Sequence, residues 1–219
     1  MKTFLTAVLL VIALAVKGYR YFTNSKSSSQ SEGSSNQEIT KNPQSGDDPQ
    51  QNGYAVLKNC TYVPDAKYND GDSFKVKTAD GRVFELRMYF VDTAESKDKP
   101  YDDYRERVAD QGKDFGGLDY QQTIKLGREA KKLAESMLKK ERFTVFTKWE
   151  RVHGGDRYYC FLQMEDGQWW DEILIGHGLA RIHTKGADTP GGSEWRAYKK
   201  QLWRIEEDAK RRRVGAWGM

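Results

Sequence analysis

The sequence predicts an α+β fold, a five-stranded OB-type β-barrel with three helices, formed by about residues 53–219. Three observations predict it. Short segments rich in β-branched and aromatic residues are separated by turn residues. One amphipathic helical pattern follows the third of these segments, and two more helical patterns follow the fifth. Five short strands with helices in these places are typical of an OB-type barrel.

The chain begins with a short apolar segment. Lys2 precedes an apolar run over residues 4–16, which only Thr6 interrupts. This run suits the core of a signal peptide and is shorter than the roughly 20 residues that span a bilayer. We therefore expect residues 1–22 to be a signal peptide or a membrane anchor, with the protein secreted or tethered outside the cytoplasm. Whether the segment is cleaved stays open.

Residues 23–52 are rich in serine, glutamine, asparagine and glycine. Such a stretch buries too little apolar surface to offset the entropy of ordering, so we expect a disordered linker. The domain would then begin near Gly53.

The five strands are predicted from alternation between apolar and polar residues. Their expected bounds are Tyr54–Val63, Ser73–Thr78, Arg82–Val91, Phe143–Trp149 and Arg157–Met164. The third strand has the clearest pattern, since Phe84, Leu86, Met88 and Phe90 share one face. Arg87 falls on the opposite face, where an arginine is free to meet a ligand.

The helices are predicted from apolar residues at spacings of three and four. Their expected bounds are Thr123–Lys140, about 170–177, and about Ser193–Arg213, with a short extended segment at Leu179–Ile182. Residues 96–121 contain many aspartates and glycines and are expected to form a long polar loop.

Composition excludes several classes of chemistry. The sequence has no Cys/His spacing typical of zinc and no serine nucleophile motif. The formal net charge of +4 is a weak bias toward polyanionic partners. The two cysteines, Cys60 and Cys160, could pair in an exported protein or remain buried thiols, and their separation does not decide between these.

Three carboxylates and two arginines lie near the predicted strand ends. Asp72, Asp92 and Glu95 offer hard oxygen donors of the kind that Ca²⁺ or Mg²⁺ prefers. Arg87 and Arg157 offer forked donors that match phosphate oxygens. Together, these groups suit hydrolysis of a phosphodiester.

Taken in order, these motifs resemble the staphylococcal nuclease family. They are Asp70-Gly71-Asp72-Ser73, Arg87, Val91-Asp92-Thr93-Ala94-Glu95, Gly127-Arg128-Glu129-Ala130, Arg157-Tyr158-Tyr159-Cys160, Gly178-Leu179-Ala180-Arg181 and Gly215-Ala216-Trp217. The resemblance covers about residues 53–219. It implies a Ca²⁺-dependent endonuclease that cuts DNA, RNA or both with little sequence preference and leaves 3′-phosphate ends.

The resemblance also implies a role for each site residue. Asp72 and Asp92 would bind Ca²⁺ through their side chains, and Thr93 through its backbone carbonyl. Glu95 would be the general base. Arg87 would hold the phosphate and the transition state, and Arg157 would stabilise the transition state.

The sequence departs from the family pattern in several places. Ala94 replaces the motif proline and Ser73 replaces threonine. Tyr159-Cys160 departs from the usual Leu-Ala, and the glycine before the motif arginine is missing. Arg157 is matched to the motif arginine because Cys160 then takes the small-residue place and the turn at Asp166-Gly167 is kept with one extra residue. Counting back from that turn without the extra residue would put Tyr158 at the arginine position.

The segment between Glu95 and Glu129 is longer than in compact family members. Tyr101, Tyr104 and Phe115 in it could cover the groove and stack on bases, or form a small cluster of their own.

Two other functions remain open. One is a non-catalytic OB-type module that binds nucleic acid or a protein, and the other is an exported structural domain on a tether. The expected partners are DNA and/or RNA, with a possible membrane tether through residues 4–16, and the expected oligomeric state is a monomer.

Overall fold

The computed structural model describes residues 43–219. It contains eight strands and four α-helices in this range. The strands are β1 (Gln50–Gln51), β2 (Tyr54–Tyr62), β3 (Ser73–Lys77), β4 (Val83–Met88), β5 (Val91–Thr93), β6 (Phe143–Arg151), β7 (Arg157–Gln163) and β8 (Ala180–Ile182). The helices are α1 (Asp102–Asp114), α2 (Tyr120–Leu138), α3 (Trp170–Gly176) and α4 (Trp195–Arg212), followed by a 3₁₀ turn at Gly215–Gly218.

The predicted segment 1–22 and most of the predicted linker lie outside the described residues. Within residues 43–219, no helix is both long enough and apolar enough to cross a membrane.

Five strands pair in a closed circuit. β2 pairs antiparallel with both β3 and β6, β3 pairs with β4, β4 runs parallel to β7, and β7 returns to β6. These are the five strands predicted from the sequence. Phe84, Leu86 and Met88 of β4 are fully buried, which confirms the predicted apolar face. Glu85 and Arg87 between them are only partly buried, as expected from the alternation of side chains along a strand.

The prediction of one continuous strand over Arg82–Val91 is wrong. β4 ends at Met88, and Phe90 takes a positive φ of 64°, which turns the chain before β5 begins. The Phe90 carbonyl accepts hydrogen bonds from the backbone N–H groups of His183 and Thr184, and its N–H donates to the Lys185 carbonyl. These contacts from a distant part of the chain hold the turn. β5 therefore pairs with β8 and belongs to a separate two-stranded sheet.

The prediction of a polar loop over residues 96–121 is also wrong, because α1 occupies its middle. Tyr104 and Val108 of α1 are buried against Ile124 of α2 in a small cluster. α1 contains few apolar residues, so its sequence shows no strong helical pattern. Its buried side chains are covered by α2. The fold thus has four helices among the described residues, where three were predicted.

The aromatic residues of this segment have different environments. Tyr104 lies in the α1–α2 cluster, and Phe115 is buried in the main core beside Trp217. Only Tyr101 remains 63% exposed. Of the two alternatives for this segment, the small separate cluster is the one observed for Tyr104. Because Tyr104 and Phe115 are both buried, neither is available to stack on a base.

Contacts of the domain extend upstream of the predicted boundary at Gly53. β1 pairs with the start of β2. Arg82 contacts the buried Asp48 carboxylate at 2.6 Å and donates to the Pro43 carbonyl at 2.5 Å. Residues 48–51, which fall in the predicted linker, are therefore held against the domain by backbone pairing with β2 and by a partly buried ion pair with Arg82.

Cys60 and Cys160 are both buried, free thiols. Cys60 lies on β2 and Cys160 on β7, which are not neighbours in the circuit. Burial raises the pKa of the Cys60 thiol to about 12, so it stays protonated. The alternative of two buried thiols is the one observed.

Candidate active site

The predicted site residues gather at one cleft of about 750 Å³. Arg87 on β4, Asp92 on β5, Glu95 just after β5 and Arg157 at the start of β7 all line it. Asp72 and Thr93 lie behind this wall and are buried. The turn at Phe90 produces this arrangement, because it separates Asp92 from the strand that carries Arg87 and returns it to the same cleft.

Arg87 bridges two carboxylates. Its Nη1 lies 2.7 Å from Asp72 Oδ1, and its Nη2 lies 2.5 Å from Asp92 Oδ1. Nη1 also lies 3.2 Å from the Ser73 hydroxyl. Asp72 is only 1% exposed, and its Oδ2 accepts the Thr93 N–H at 2.6 Å. A single guanidinium therefore contacts both of the carboxylates that were predicted to bind metal.

The two carboxylates differ in their electrostatics. Burial raises the pKa of Asp72 well above its usual value, and Arg87 opposes this only in part. Burial also acts to raise the pKa of Asp92, but Arg87 and Arg181 outweigh it, so the pKa of Asp92 is lowered. Asp92 is the more firmly ionised of the two.

Arg181 is a site residue that received no role from the sequence. It stands directly opposite Asp92 in the β5–β8 pairing. Its Nη2 and Nε lie 2.7 and 2.8 Å from Asp92 Oδ2, and its Nη1 lies 2.5 Å from Asp114 Oδ2 at the end of α1. The only sequence signal was its place at the end of the Gly178-Leu179-Ala180-Arg181 segment. The cross-strand pairing brings its side chain against Asp92.

Gln111 is a second residue that sequence reasoning missed. Its amide nitrogen lies 3.2 Å from both Asp92 Oδ2 and the Thr93 carbonyl oxygen, and its amide oxygen accepts the Glu95 N–H at 3.0 Å. Gln111 is 3% exposed. Val108 lies four positions after Tyr104, and Gln111 three positions after Val108, so Gln111 lies on the same buried face of α1. A helical interpretation of this segment would have pointed it inward.

The backbone of Glu95 is fixed by a hydrogen bond to Gln111, whereas its side chain is accessible from the cleft. The carboxylate lines the cleft, and its Oε1 lies 3.1 Å from Arg107 Nε on α1. A Cβ atom at Gly127 would collide with the carbonyl groups of Ala94 and Glu95, so α2 packs directly on this turn. The turn is therefore held by Gln111 from α1 and by Gly127 from α2, without the motif proline that Ala94 replaces.

The structure distinguishes Arg157 from Tyr158. The Arg157 side chain is 41% exposed, and its Nη1 lies 3.4 Å from the same Ser73 hydroxyl that Arg87 contacts. Tyr158 is only 5% exposed and packs edge-on against Phe84 and Trp149. Successive strand residues face opposite sides. Arg157 is consequently the residue of this pair that reaches the cleft.

The predicted Ca²⁺ ligands fit the ion in type. Within residues 43–219, no three His, Cys, Asp or Glu side chains are grouped to hold a metal ion. The predicted set, however, uses two carboxylates and one carbonyl, and all of these oxygens lie around Arg87 and Gln111. Carboxylate and carbonyl oxygens are the hard donors that Ca²⁺ binds. Ca²⁺ takes about six to eight oxygen ligands, so water or phosphate would complete its shell.

Comparison with known proteins identifies the family. A family model described as staphylococcal nuclease homologue matches residues 85–219, which is more than half of the chain. The match contains Arg87, Asp92, Glu95 and Arg157 and begins after Asp72. Comparison with curated proteins gives no significant match. The chain belongs to the staphylococcal nuclease homologue family.

Proposed function

We propose that this protein is a Ca²⁺-dependent endonuclease that hydrolyses phosphodiester bonds of DNA and/or RNA with low sequence specificity. The observation that carries the proposal is the cleft lined by Arg87, Asp92, Glu95 and Arg157, with the buried Asp72 in contact with Arg87. Family membership supports a nuclease-type, nucleic-acid-binding domain. The closed circuit of five strands supports an OB-type barrel as its scaffold.

The arginines would bind the scissile phosphate. Arg87 and Arg157 both reach the Ser73 hydroxyl, so their guanidinium groups converge on one region of the cleft. Forked N–H donors match phosphate oxygens, and the charge that develops there in the transition state strengthens these hydrogen bonds. To serve in this way, Arg87 exchanges its contacts with Asp72 and Asp92 for the phosphate. Bound at Asp72, Asp92 and the Thr93 carbonyl, Ca²⁺ would supply positive charge that replaces the guanidinium and polarises the phosphate.

Glu95 would act as the general base. Its carboxylate lines the cleft while Gln111 fixes its backbone. A water molecule attacks phosphorus and gives its proton to Glu95 as the bond to the 5′-oxygen breaks. The leaving oxygen takes a proton from solvent, because arginine, with a pKa above about 12, does not release one. The products are a 3′-phosphate and a 5′-hydroxyl.

One observation favours a second function, a non-catalytic nucleic-acid-binding module. Arg87 and the two aspartates are already paired with each other, and every Asp92 oxygen accepts a hydrogen bond. If this pairing persists with nucleic acid bound, neither the phosphate nor a metal ion gains access. The two functions differ in whether bound substrate is cut.

The deciding experiment is incubation with plasmid DNA and single-stranded RNA, in Ca²⁺ or in chelator. We expect hydrolysis only with Ca²⁺. Glu95→Gln should lower kcat/KM by about 10²- to 10⁴-fold, the usual contribution of a general base. Glu106→Gln on the exposed face of α1 is the matched control and should keep wild-type activity.

Three results would redirect the proposal. Inert wild-type protein in both conditions would end the nuclease proposal, and binding without hydrolysis would support the non-catalytic module. Full activity of Glu95→Gln would mean that another group is the base. Action outside the cytoplasm and a monomeric state remain proposals, the first of which rests on residues 4–16 alone.

A further inference from the structure

A second, smaller groove begins where the Glu95 turn ends. It has a volume of about 320 Å³ and lies between the loop after β5 and the outer face of α2. Its lining residues are Ser96, Lys97, Arg128, Lys131, Lys132 and Glu135. Arg128 Nε lies 3.2 Å from the Ser96 carbonyl oxygen, so the two walls are joined directly. We call this feature the basic groove.

The basic groove carries an excess of positive charge. Four of its lining residues are cations, and Glu135 is its one carboxylate, 3.9 Å from Lys131. Among residues 43–219, no carboxylate lies within ion-pair distance of Lys97, Arg128 or Lys132. Lys97 Nζ donates to the Lys67 carbonyl at 2.9 Å, which brings a fifth cation to the edge of the groove.

An exposed aromatic ring stands at the same edge. Tyr68 is 63% exposed, although large aromatic side chains are usually covered. Lys67 Nζ and Lys97 Nζ lie 5.3 and 5.9 Å from the centre of its ring. An exposed aromatic ring beside cations is the combination with which proteins bind single-stranded nucleic acids, since a base that displaces a lysine can stack on the ring while phosphates meet the cations.

We propose that the basic groove binds the backbone of the substrate strand beyond the scissile phosphate, and that Tyr68 stacks on an unpaired base. This inference rests on the proposed function and specifies its substrate class as single-stranded nucleic acid. The chain order supports it. Tyr68 stands two residues before Asp70, and Lys97 two residues after Glu95, so both are joined through short segments to the wall of the main cleft.

The charge of the groove is tested by binding, without hydrolysis. The full-length protein is titrated into a fluorescein-labelled oligothymidylate of about 12 nucleotides, a length within the usual range of single-strand sites. Chelator is present, and salt is varied. Each lost phosphate contact reduces the slope of log K against log salt by about 0.7 for a single strand. The triple variant Lys97→Gln, Lys131→Gln and Lys132→Gln should therefore reduce the slope by about 2.

The matched control removes three cations from another surface. Lys199→Gln, Lys200→Gln and Arg204→Gln change the same net charge on α4. We expect this variant to keep the wild-type slope. Equal slopes for the two triple variants would refute the groove as a binding track.

The role of Tyr68 is tested with Tyr68→Ala and Tyr68→Phe. Loss of base stacking should weaken binding of the single strand on the order of 10-fold in Tyr68→Ala, and Tyr68→Phe should restore it. A duplex of the same length should bind equally to both variants. If Tyr68→Ala binds the single strand as well as wild type, or weakens single strand and duplex alike, the stacking role is refuted.

These results are separable from the proposed function. Binding in chelator does not depend on catalysis. If wild-type protein is inactive but the groove triple variant shows the expected reduction in salt slope, the nuclease proposal alone is refuted. If wild-type protein is active but the groove triple variant keeps the wild-type salt slope, the groove proposal alone is refuted.

Discussion

A buried carboxylic acid beneath α4 should make the stability of this protein depend on pH. Asp171 in the first turn of α3 is fully buried. Its Oδ2 accepts a hydrogen bond from the Tyr198 hydroxyl at 3.0 Å, and its Oδ1 has no partner among the described residues. Burial raises the pKa of Asp171 to about 7 from an ordinary value of 3.8. The folded state therefore holds this proton more tightly than the unfolded chain does.

The sign and size of the effect follow from linkage. Because the folded state binds more protons between the two pKa values, stability is greatest below the unfolded pKa and falls as the pH rises through the folded pKa. A shift of about three pKa units corresponds to roughly 4 kcal/mol in all. Of this, about 2–3 kcal/mol of the free energy of unfolding should be lost between about pH 5 and about pH 8, with little further loss above that.

The assay is urea unfolding of wild type and Asp171→Asn at several values of pH in this range. Asparagine keeps the shape and the acceptor for Tyr198 but carries no charge. The difference between the two proteins should therefore change by about 2–3 kcal/mol across the range, in favour of the variant at high pH. Asp156→Asn, at an exposed position, is the control and should run parallel to wild type. If Asp171→Asn also runs parallel to wild type, Asp171 is ionised in the folded protein and the reasoning fails.

Three further predictions concern the site and the core. In steady-state kinetics of the proposed nucleic-acid hydrolysis, Arg157→Ala should lower kcat/KM by about 10²-fold or more, as for other groups that stabilise a developing charge. Tyr158→Phe should stay near wild type, and the reverse order would reassign the motif arginine position. Gln111→Ala should raise the Ca²⁺ concentration for half-maximal activity by about 10- to 100-fold, the usual cost of losing a group that orients ligands, and an unchanged Ca²⁺ titration would reduce Gln111 to a structural role. Since Cys60 and Cys160 are separate buried thiols, a reducing agent should leave the thermal midpoint unchanged, and a drop in that midpoint would reveal a disulfide.

Local patterns in the sequence were enough to locate most strands and helices. The alternation of Phe84, Leu86 and Met88 predicts β4 because a strand repeats every two residues, whatever it packs against. The predicted helix at about 170–177 is α3 at Trp170–Gly176, and the predicted extended segment at Leu179–Ile182 contains β8. In each case the signal lies within the segment itself.

The errors occurred where a segment depends on a distant partner. α1 has only a narrow apolar face, and it becomes a stable element because Tyr104 and Val108 are buried against α2. The positive φ of Phe90 is held by backbone hydrogen bonds from residues 183–185. Neither partner is visible within a local window of sequence, so the patterns there predicted a loop and an unbroken strand.

For the candidate site, the sequence by itself determined the kinds of chemical group. Its motifs named Asp72, Arg87, Asp92, Glu95 and Arg157, and a family model independently recognised the region that holds the last four. Only the tertiary structure decided which groups meet. Pairing of β5 with β8 sets Arg181 against Asp92, and docking of α1 brings Gln111 to the Glu95 turn. The reason is physical, since donor type belongs to a single residue, whereas a hydrogen bond requires two residues that the fold alone brings within about 3 Å.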